Sequence, residues 1–172
     1  MLTTFSFIQL ADPQFGLFAD RSGKTDEEIS AAAKRGQILK KTPKITGFAD
    51  ETRLFSLAIE QVQRSNPAFM VVCGDIINEA GNEDQIAEVK RIAGLLDKSI
   101  TIRWVSGNHD VAFDRISPDQ ESIDRYRKNF GPDYYAFSHQ KIRFLVINST
   151  LLTPPNTLLK EAWDQVAFVE HE

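Results

Sequence analysis

Cysteine is nearly missing: Cys73 is the only one among 172 residues. No internal disulfide can form, which excludes a stapled secreted scaffold and points to a reducing compartment, the cytoplasm. The place of Cys73 in the apolar run from Phe69 predicts a buried thiol. Basic charge is scarce as well. The 20 Lys and Arg residues against 24 Asp and Glu leave a formal net charge of -4, which argues against nucleic acid as a partner, because holding a phosphate backbone needs a basic surface. Long hydrophobic runs are absent, so no membrane span is expected. The segment from Phe5 to Ala11 is too short, too polar at Ser6 and Gln9, and lacks the basic lead of a secretory signal. Also missing are a Gly-rich phosphate loop ending in Lys-Ser or Lys-Thr, a Gly-x-Gly-x-x-Gly turn and a Gly-x-Ser-x-Gly elbow, which sets aside common nucleotide-binding and serine-hydrolase designs.

What is present suits one globular domain: 42% apolar and 26% charged residues. Apolar, β-rich runs at Phe5 to Leu10, Phe69 to Cys73 and Ile100 to Val105 alternate with helix-period segments, the pattern of βαβ units feeding a parallel sheet. The first crossover helix is expected over Glu51 to Arg64, with Leu54, Leu57, Ala58 and Val62 on one face and Asn66-Pro67 ending it. A second is expected to open at Asn82, with Gln85 completing a capping-box-like pair and Ile86, Val89, Ala93 and Leu96 inward. Ser117-Pro118-Asp119-Gln120 predicts a third helix, with Ser117 as N-cap, Pro118 at its first position, and Ile123, Tyr126 and Phe130 inward.

Tyr134 to Phe137 and Ile142 to Ile147 flank a polar turn around Ser138 to Lys141, predicting a β-hairpin. From Thr157, Leu158, Leu159, Ala162, Trp163, Val166 and Val169 have helical spacing. The segment from about residue 19 to 49 has weak periodicity and is expected as a loop insertion, either a mobile surface excursion or a flap that shapes a substrate site.

Three strand ends carry the chemistry: Asp12-Pro13-Gln14, Gly74-Asp75 and Gly107-Asn108-His109-Asp110. Asp-Pro alone reads as a turn, and Gly-Asp alone as an ordinary strand-to-helix connection. Together, at the carboxyl ends of successive parallel strands, they bring Asp12, Asp75 and Asn108 to the rim where open α/β sheets gather ligands. Carboxylate and amide oxygens are hard donors suited to divalent cations. Asp110 either orients His109 or caps the following turn, and capping is favoured. Asn148, at another strand end, reads as a turn former.

In this order and spacing the motifs resemble the calcineurin-like metallophosphoesterase family. The runs Ala11 to Leu17, Val72 to Asp75, Val105 to Asp110 and Asp133 to Ser149 are similar to its calcineurin-like phosphoesterase domain-containing protein 1 group. The resemblance implies an α/β sandwich of α-β-β-α layers, truncated after the N-terminal βαβαβ part and a hairpin. It implies a phosphoesterase with two divalent metal ions, manganese, iron, zinc or magnesium. Asp12 and Gln14 would ligate the first metal, Asp75 would bridge both, and Asn108 would ligate the second. Two such ions lower the pKa of a bridging water and clamp phosphate for in-line attack. His109 would be the catalytic imidazole that protonates the leaving oxygen.

The chain also departs from that family. Gln14 stands where most members carry histidine, and Asn78 where many carry an acid that orients the imidazole. The later histidine ligands have no counterpart, and His139, expected in the hairpin turn, and His171 are expected to be exposed bystanders. Two readings follow. One is a phosphomonoesterase acting on a phosphorylated substrate, with protein phosphoserine or phosphothreonine among the candidates. The other is a truncated, catalytically incomplete chain acting as a binding module or lacking independent function.

Overall fold

Each of the three apolar runs forms a strand in the computed structural model, which describes residues 4–112, 117–153 and 157–172. Strands β1 (Ile8–Ala11), β2 (Phe69–Cys73) and β3 (Thr101–Val105) are parallel and lie in the order β1-β2-β3. Their register aligns Ile8, Met70 and Ile102 in one row and Leu10, Val72 and Trp104 in another. Side chains alternate across a strand, so these six residues share a face and join the main core.

Helices cover that face. α3 (Ala49–Ser65) and α4 (Glu83–Ala93) are the crossovers, followed by the short α5 (Asn108–Val111) and α6 (Gln120–Phe130). On α3 the inward residues are Glu51, Phe55, Ile59 and Val62, whereas Leu54 and Leu57 remain about half exposed at 48% and 51%. The expected stripe through Leu54 and Leu57 was set one position away. Phe55 takes the core position because its ring meets Phe15 edge-on, with centroids 5.7 Å apart, and an aromatic side chain removes more apolar area from water than leucine does. On α4 the expected inward residues Ile86, Val89 and Ala93 are buried together with Ile92, as is Leu96 just beyond the helix. Ile123, Tyr126 and Phe130 of α6 face inward as expected.

Two helix starts differ in detail from expectation. At α4, Asn82 accepts the Gln85 N–H at 3.1 Å, but the Gln85 side chain turns into the core instead of closing a capping box. At α6 the N-cap is Asp119, not Ser117. Asp119 accepts the Ser122 N–H at 2.8 Å, while Ser122 Oγ accepts the Asp119 N–H at 3.2 Å. A carboxylate with a hydroxyl three residues on closes a reciprocal pair.

The opposite face of the sheet is covered by the hairpin β4 (Tyr135–His139) and β5 (Ile142–Val146), an antiparallel pair. Phe69 meets Phe137 and Phe144 edge-on, each with centroids 5.2 Å apart, and Tyr135 Oη donates to the Trp104 carbonyl at 3.0 Å. His139 is the last residue of β4, not part of the turn, and its ring packs 4.4 Å from Phe5 and 5.6 Å from Phe69. It is a partly buried member of an aromatic layer, contrary to the exposed position expected; His171 is exposed. α7 (Leu159–His171) is attached through Gln165. That side chain accepts the Asn148 N–H at 2.6 Å and donates to its carbonyl at 3.1 Å. No helix among the described residues is long and apolar enough to cross a membrane.

Residues 19–49 are not the featureless loop expected. They contain most of α1 (Leu17–Arg21) and all of α2 (Asp26–Lys34). Thr25 and Glu28 form a capping box at α2, with acidic residues in its first turn and Lys34 in its last. Residues 35–48 are irregular but tied down: Ile45 N–H donates to Ser22 Oγ at 2.8 Å, Lys44 Nζ to the Ala19 carbonyl at 2.8 Å, and Lys41 Nζ to Asp26 at 2.8 Å.

The orientation of α3 predicts unequal costs for two neighbouring truncations. Phe55→Ala should lose about 3–5 kcal/mol in urea unfolding, and Leu57→Ala about 0.5 kcal/mol or less. Equal losses would contradict the assigned inward face.

Candidate metal centre

The loops that leave β1, β2 and β3 stay paired beyond the strands. Gln14 N–H donates to the Asp75 carbonyl at 2.9 Å, Asn78 N–H to the Phe15 carbonyl at 3.0 Å, and Gly74 N–H to the Val105 carbonyl at 3.1 Å. The three sequence motifs therefore lie side by side. Asp12, Asp75 and Asn108 line one cavity of about 660 Å³, together with Ser106 and Thr150. Gln14, Asp75 and His109 line a second of about 650 Å³. Asp75 belongs to both and stands at the divide.

The backbone is contorted where these side chains leave it. Asp12, Gln14 and Asp75 have φ of 51°, 36° and 42°, a region that costs non-glycine residues on the order of 1–3 kcal/mol and is concentrated at functional sites. Two glycines make room. Gly74 has a φ of 67°, and a Cβ there would lie 3.0 Å from the Gly107 Cα. A Cβ on Gly107 would lie 2.2 Å from both the N and the Oδ1 of Asp75. The loops thus touch backbone to backbone, and Asp75 Oδ1 accepts the His109 N–H at 3.1 Å.

Buried side-chain oxygens hold these loops from below. Asp110 Oδ1 accepts the N–H groups of Ile76 and Ile77 at 2.8 and 3.1 Å, and Oδ2 accepts that of Gly107 at 2.8 Å. Its role is the expected capping, extended to a second loop, and it does not orient His109. Glu51 Oε1 accepts from Gly16 and Phe18 at 3.2 and 3.0 Å. Gln85 Oε1 accepts from Asn78 and Glu79 at 3.0 and 3.1 Å. Sequence reasoning missed Glu51 and Gln85 in this role. The signal was there: each is a polar residue at the core-facing register of an amphipathic helix, in line with Phe55 and with Val89. Asn148 is structural as expected, fully buried and donating to Asp133 at 2.9 Å.

His109 is oriented by a backbone group. Its Nδ1 lies 2.7 Å from the Asn78 carbonyl oxygen. A carbonyl only accepts, so Nδ1 carries the proton and Nε2 is the nitrogen left to exchange one. The partner of the imidazole is thus the main chain of Asn78. The Asn78 side chain instead accepts from Gln14 Nε2 at 3.3 Å, which leaves the Gln14 carbonyl oxygen for another partner.

Electrostatically the rim is short of positive charge. Burial raises the Asp12 carboxyl above its ordinary pKa, the Asp75 charge raises it further, and His109 offsets part of this. No group of three or more His, Cys, Asp and Glu side chains among the described residues is arranged to hold a metal ion. The donors at this rim include the amides of Gln14 and Asn108. Two mutually repelling carboxylates, two amide oxygens and the buried Ser106 Oγ, which has no hydrogen-bond partner among the described residues, form an oxygen-rich set that fits a hard divalent cation. Cys73 is half-buried, less enclosed than expected because its cavity side is open. Burial and the Asp12 charge hold its thiol above the usual range, which disfavours the nucleophilic thiolate.

Residues 6–160 match the family model for calcineurin-like phosphoesterases. The chain belongs to the calcineurin-like phosphoesterase family. Within that family it is 31% identical to the serine/threonine-protein phosphatase CPPED1 of Homo sapiens over 170 residues, 94% of this chain and 48% of the relative. The protein of that name from Pongo abelii is 32% identical over the same shares, and that from Bos taurus 32% over 155 residues, 86% and 44%. The chain spans about half the length of the curated relatives it matches. Among solved structures, a dimetal phosphatase from Danio rerio shares the fold with a TM-score of 0.51 at 19% identity, over 93% of this chain and 50% of that one.

The loop cradle predicts a pH signature. Burial pushes the Asp110 carboxyl up from 3.8 to about 7, with Asp75 adding to the rise and the three N–H donors opposing it. A folded pKa above the unfolded one means that the contribution of this group is fully present below 3.8 and is lost as pH rises towards 7. In metal-free protein, urea unfolding should show wild-type stability falling relative to Asp110→Asn by up to about 1.4 kcal/mol per pH unit across that window. Parallel profiles would contradict the cradle's electrostatics.

Proposed function

We propose that the chain is a metal-dependent phosphoesterase acting on phosphomonoesters, with phosphorylated protein as its substrate class and the cytoplasm as its compartment. The observation that carries this reading is the convergence of three strand-end motifs on Asp75, flanked by Asp12 and Asn108 in one cavity and by Gln14 and His109 in the other. Asp12 and Gln14 would hold one divalent ion, Asp75 would contact both, and Asn108 would hold the second. When bound, such ions supply Lewis-acid activation of the phosphate and of water.

The chain's own residues do the rest. The contorted backbone at Asp12, Gln14 and Asp75 aims their oxygens from loops fixed by Asp110, Glu51 and Gln85, so little reorganisation is needed when charge develops. His109, with Nδ1–H held by the Asn78 carbonyl, takes a proton at Nε2 and delivers it to the departing oxygen of the substrate.

The test is manganese-dependent release of phosphate from a chromogenic monoester, paired with calorimetric titration of manganese. Asp75→Asn should weaken manganese binding and lower turnover at least about 100-fold, and His109→Ala should lower turnover about 100- to 10,000-fold with little change in manganese binding. Unchanged turnover in Asp75→Asn would overturn the assignment. Phosphopeptide binding without release would favour the binding-module reading instead.

A further inference from the structure

The cavity on the His109 side has a second wall that the proposed reaction does not use. Besides Gln14, Asp75 and His109, its lining includes Arg21 from α1 and Ile38 and Lys40 from the irregular segment 35–48. Ile38 is 92% exposed, an apolar side chain left in water on the wall of a cleft. Arg21 has, among the described residues, an exposed neighbour pair with Asp20 at 3.6 Å, a contact of small worth. The other nearby lysines are committed, Lys41 to Asp26 and Lys44 to the Ala19 carbonyl. Arg21 and Lys40 are the two cations of this lining, on a chain of net charge -4.

The wall has a fixed position. Ser22, 3% exposed, receives the Ile45 N–H, and Gly23 N–H donates to the Thr42 carbonyl at 3.2 Å. Gly23 has a φ of 63°, and a Cβ there would lie 2.8 Å from Lys44 Cβ and 2.9 Å from its Cα. The segment is therefore seated directly on the α1 end.

We propose that this wall reads the leaving-group side of the substrate: a phosphopeptide with an acidic residue beside the phosphorylated one, its carboxylate meeting Arg21 and Lys40 and an apolar stem lying on Ile38. The inference rests on the phosphoesterase reading, which places the departing oxygen at His109 and so the rest of the peptide in this cleft. Charge complementarity selects the occupant, because a neutral flank would leave Arg21 with no more than its exposed Asp20 pair and offer Lys40 no carboxylate. The overall negative charge repels acidic peptides elsewhere.

Fluorescence anisotropy on the full chain with manganese tests this, using a phosphoserine peptide flanked by Glu and Asp and its Gln and Asn counterpart. Arg21→Ala with Lys40→Ala should weaken the acidic peptide roughly three- to tenfold and leave the neutral one unchanged. Lys98→Ala, an exposed lysine outside the cleft lining, should change neither. The preference should fade at high salt, as exposed charge pairs do. Equal losses for both peptides, no loss, or no binding of either would overturn the proposal. Absence of phosphate release from the chromogenic monoester, with the Arg21 and Lys40 dependence of binding intact, would sink the catalytic reading alone and leave the peptide cleft standing.

Discussion

Backbone N–H groups at the carboxyl ends of parallel strands run out of ladder partners just where a site is built, and buried ones cannot be left unpaired. In this chain carboxyl and amide side chains from the underlying helices take that burden. Asp110 collects three such donors from two loops, and Glu51 and Gln85 collect two each. The rim is thus suspended from its helices by charge-assisted and neutral hydrogen bonds in a low-dielectric interior, where each is strong and its loss costly. The left-handed backbone at Asp12, Gln14 and Asp75 persists because this suspension over-determines it.

The same arrangement sets the electrostatics. Loops anchored through acceptors bring acidic side chains together beneath and within the rim, so the Asp75 charge raises the proton affinity of both Asp12 and Asp110. A divalent cation held there, as proposed above, would relieve that repulsion. The imidazole escapes the acidic excess by pairing with a main-chain carbonyl, which fixes its tautomer without adding another negative charge.

Much of this was legible in the sequence. The three parallel strands, the crossover helices, the hairpin and the motif positions follow from apolar runs and their punctuation, because periodicity and turn chemistry are local properties. Less legible was which of two adjacent stripes on α3 faces inward, since Leu54, Phe55 and Leu57 are all apolar and only the partner ring of Phe15 decides. The helices within residues 19–49 were hidden by a charged, alanine-rich composition, although Thr25 and Glu28 carried a cap signature. The supporting roles of Glu51 and Gln85 depend on loops distant in sequence. A polar residue in a core-facing register hints at such a role without naming its partner.

Gly74 and Gly107 lie on different loops, yet a carbon added to Gly74 would press on Gly107 and one added to Gly107 would strike Asp75, the neighbour of Gly74. They behave as one site split between two places in the chain. A methyl group on Gly107 would collide with Asp75 itself, so substitutions there disturb the rim without replacing any of its oxygen donors. Neither loop can drift in sequence independently, and a redesign that varies one while holding the other fixed would be working against the seam that joins them.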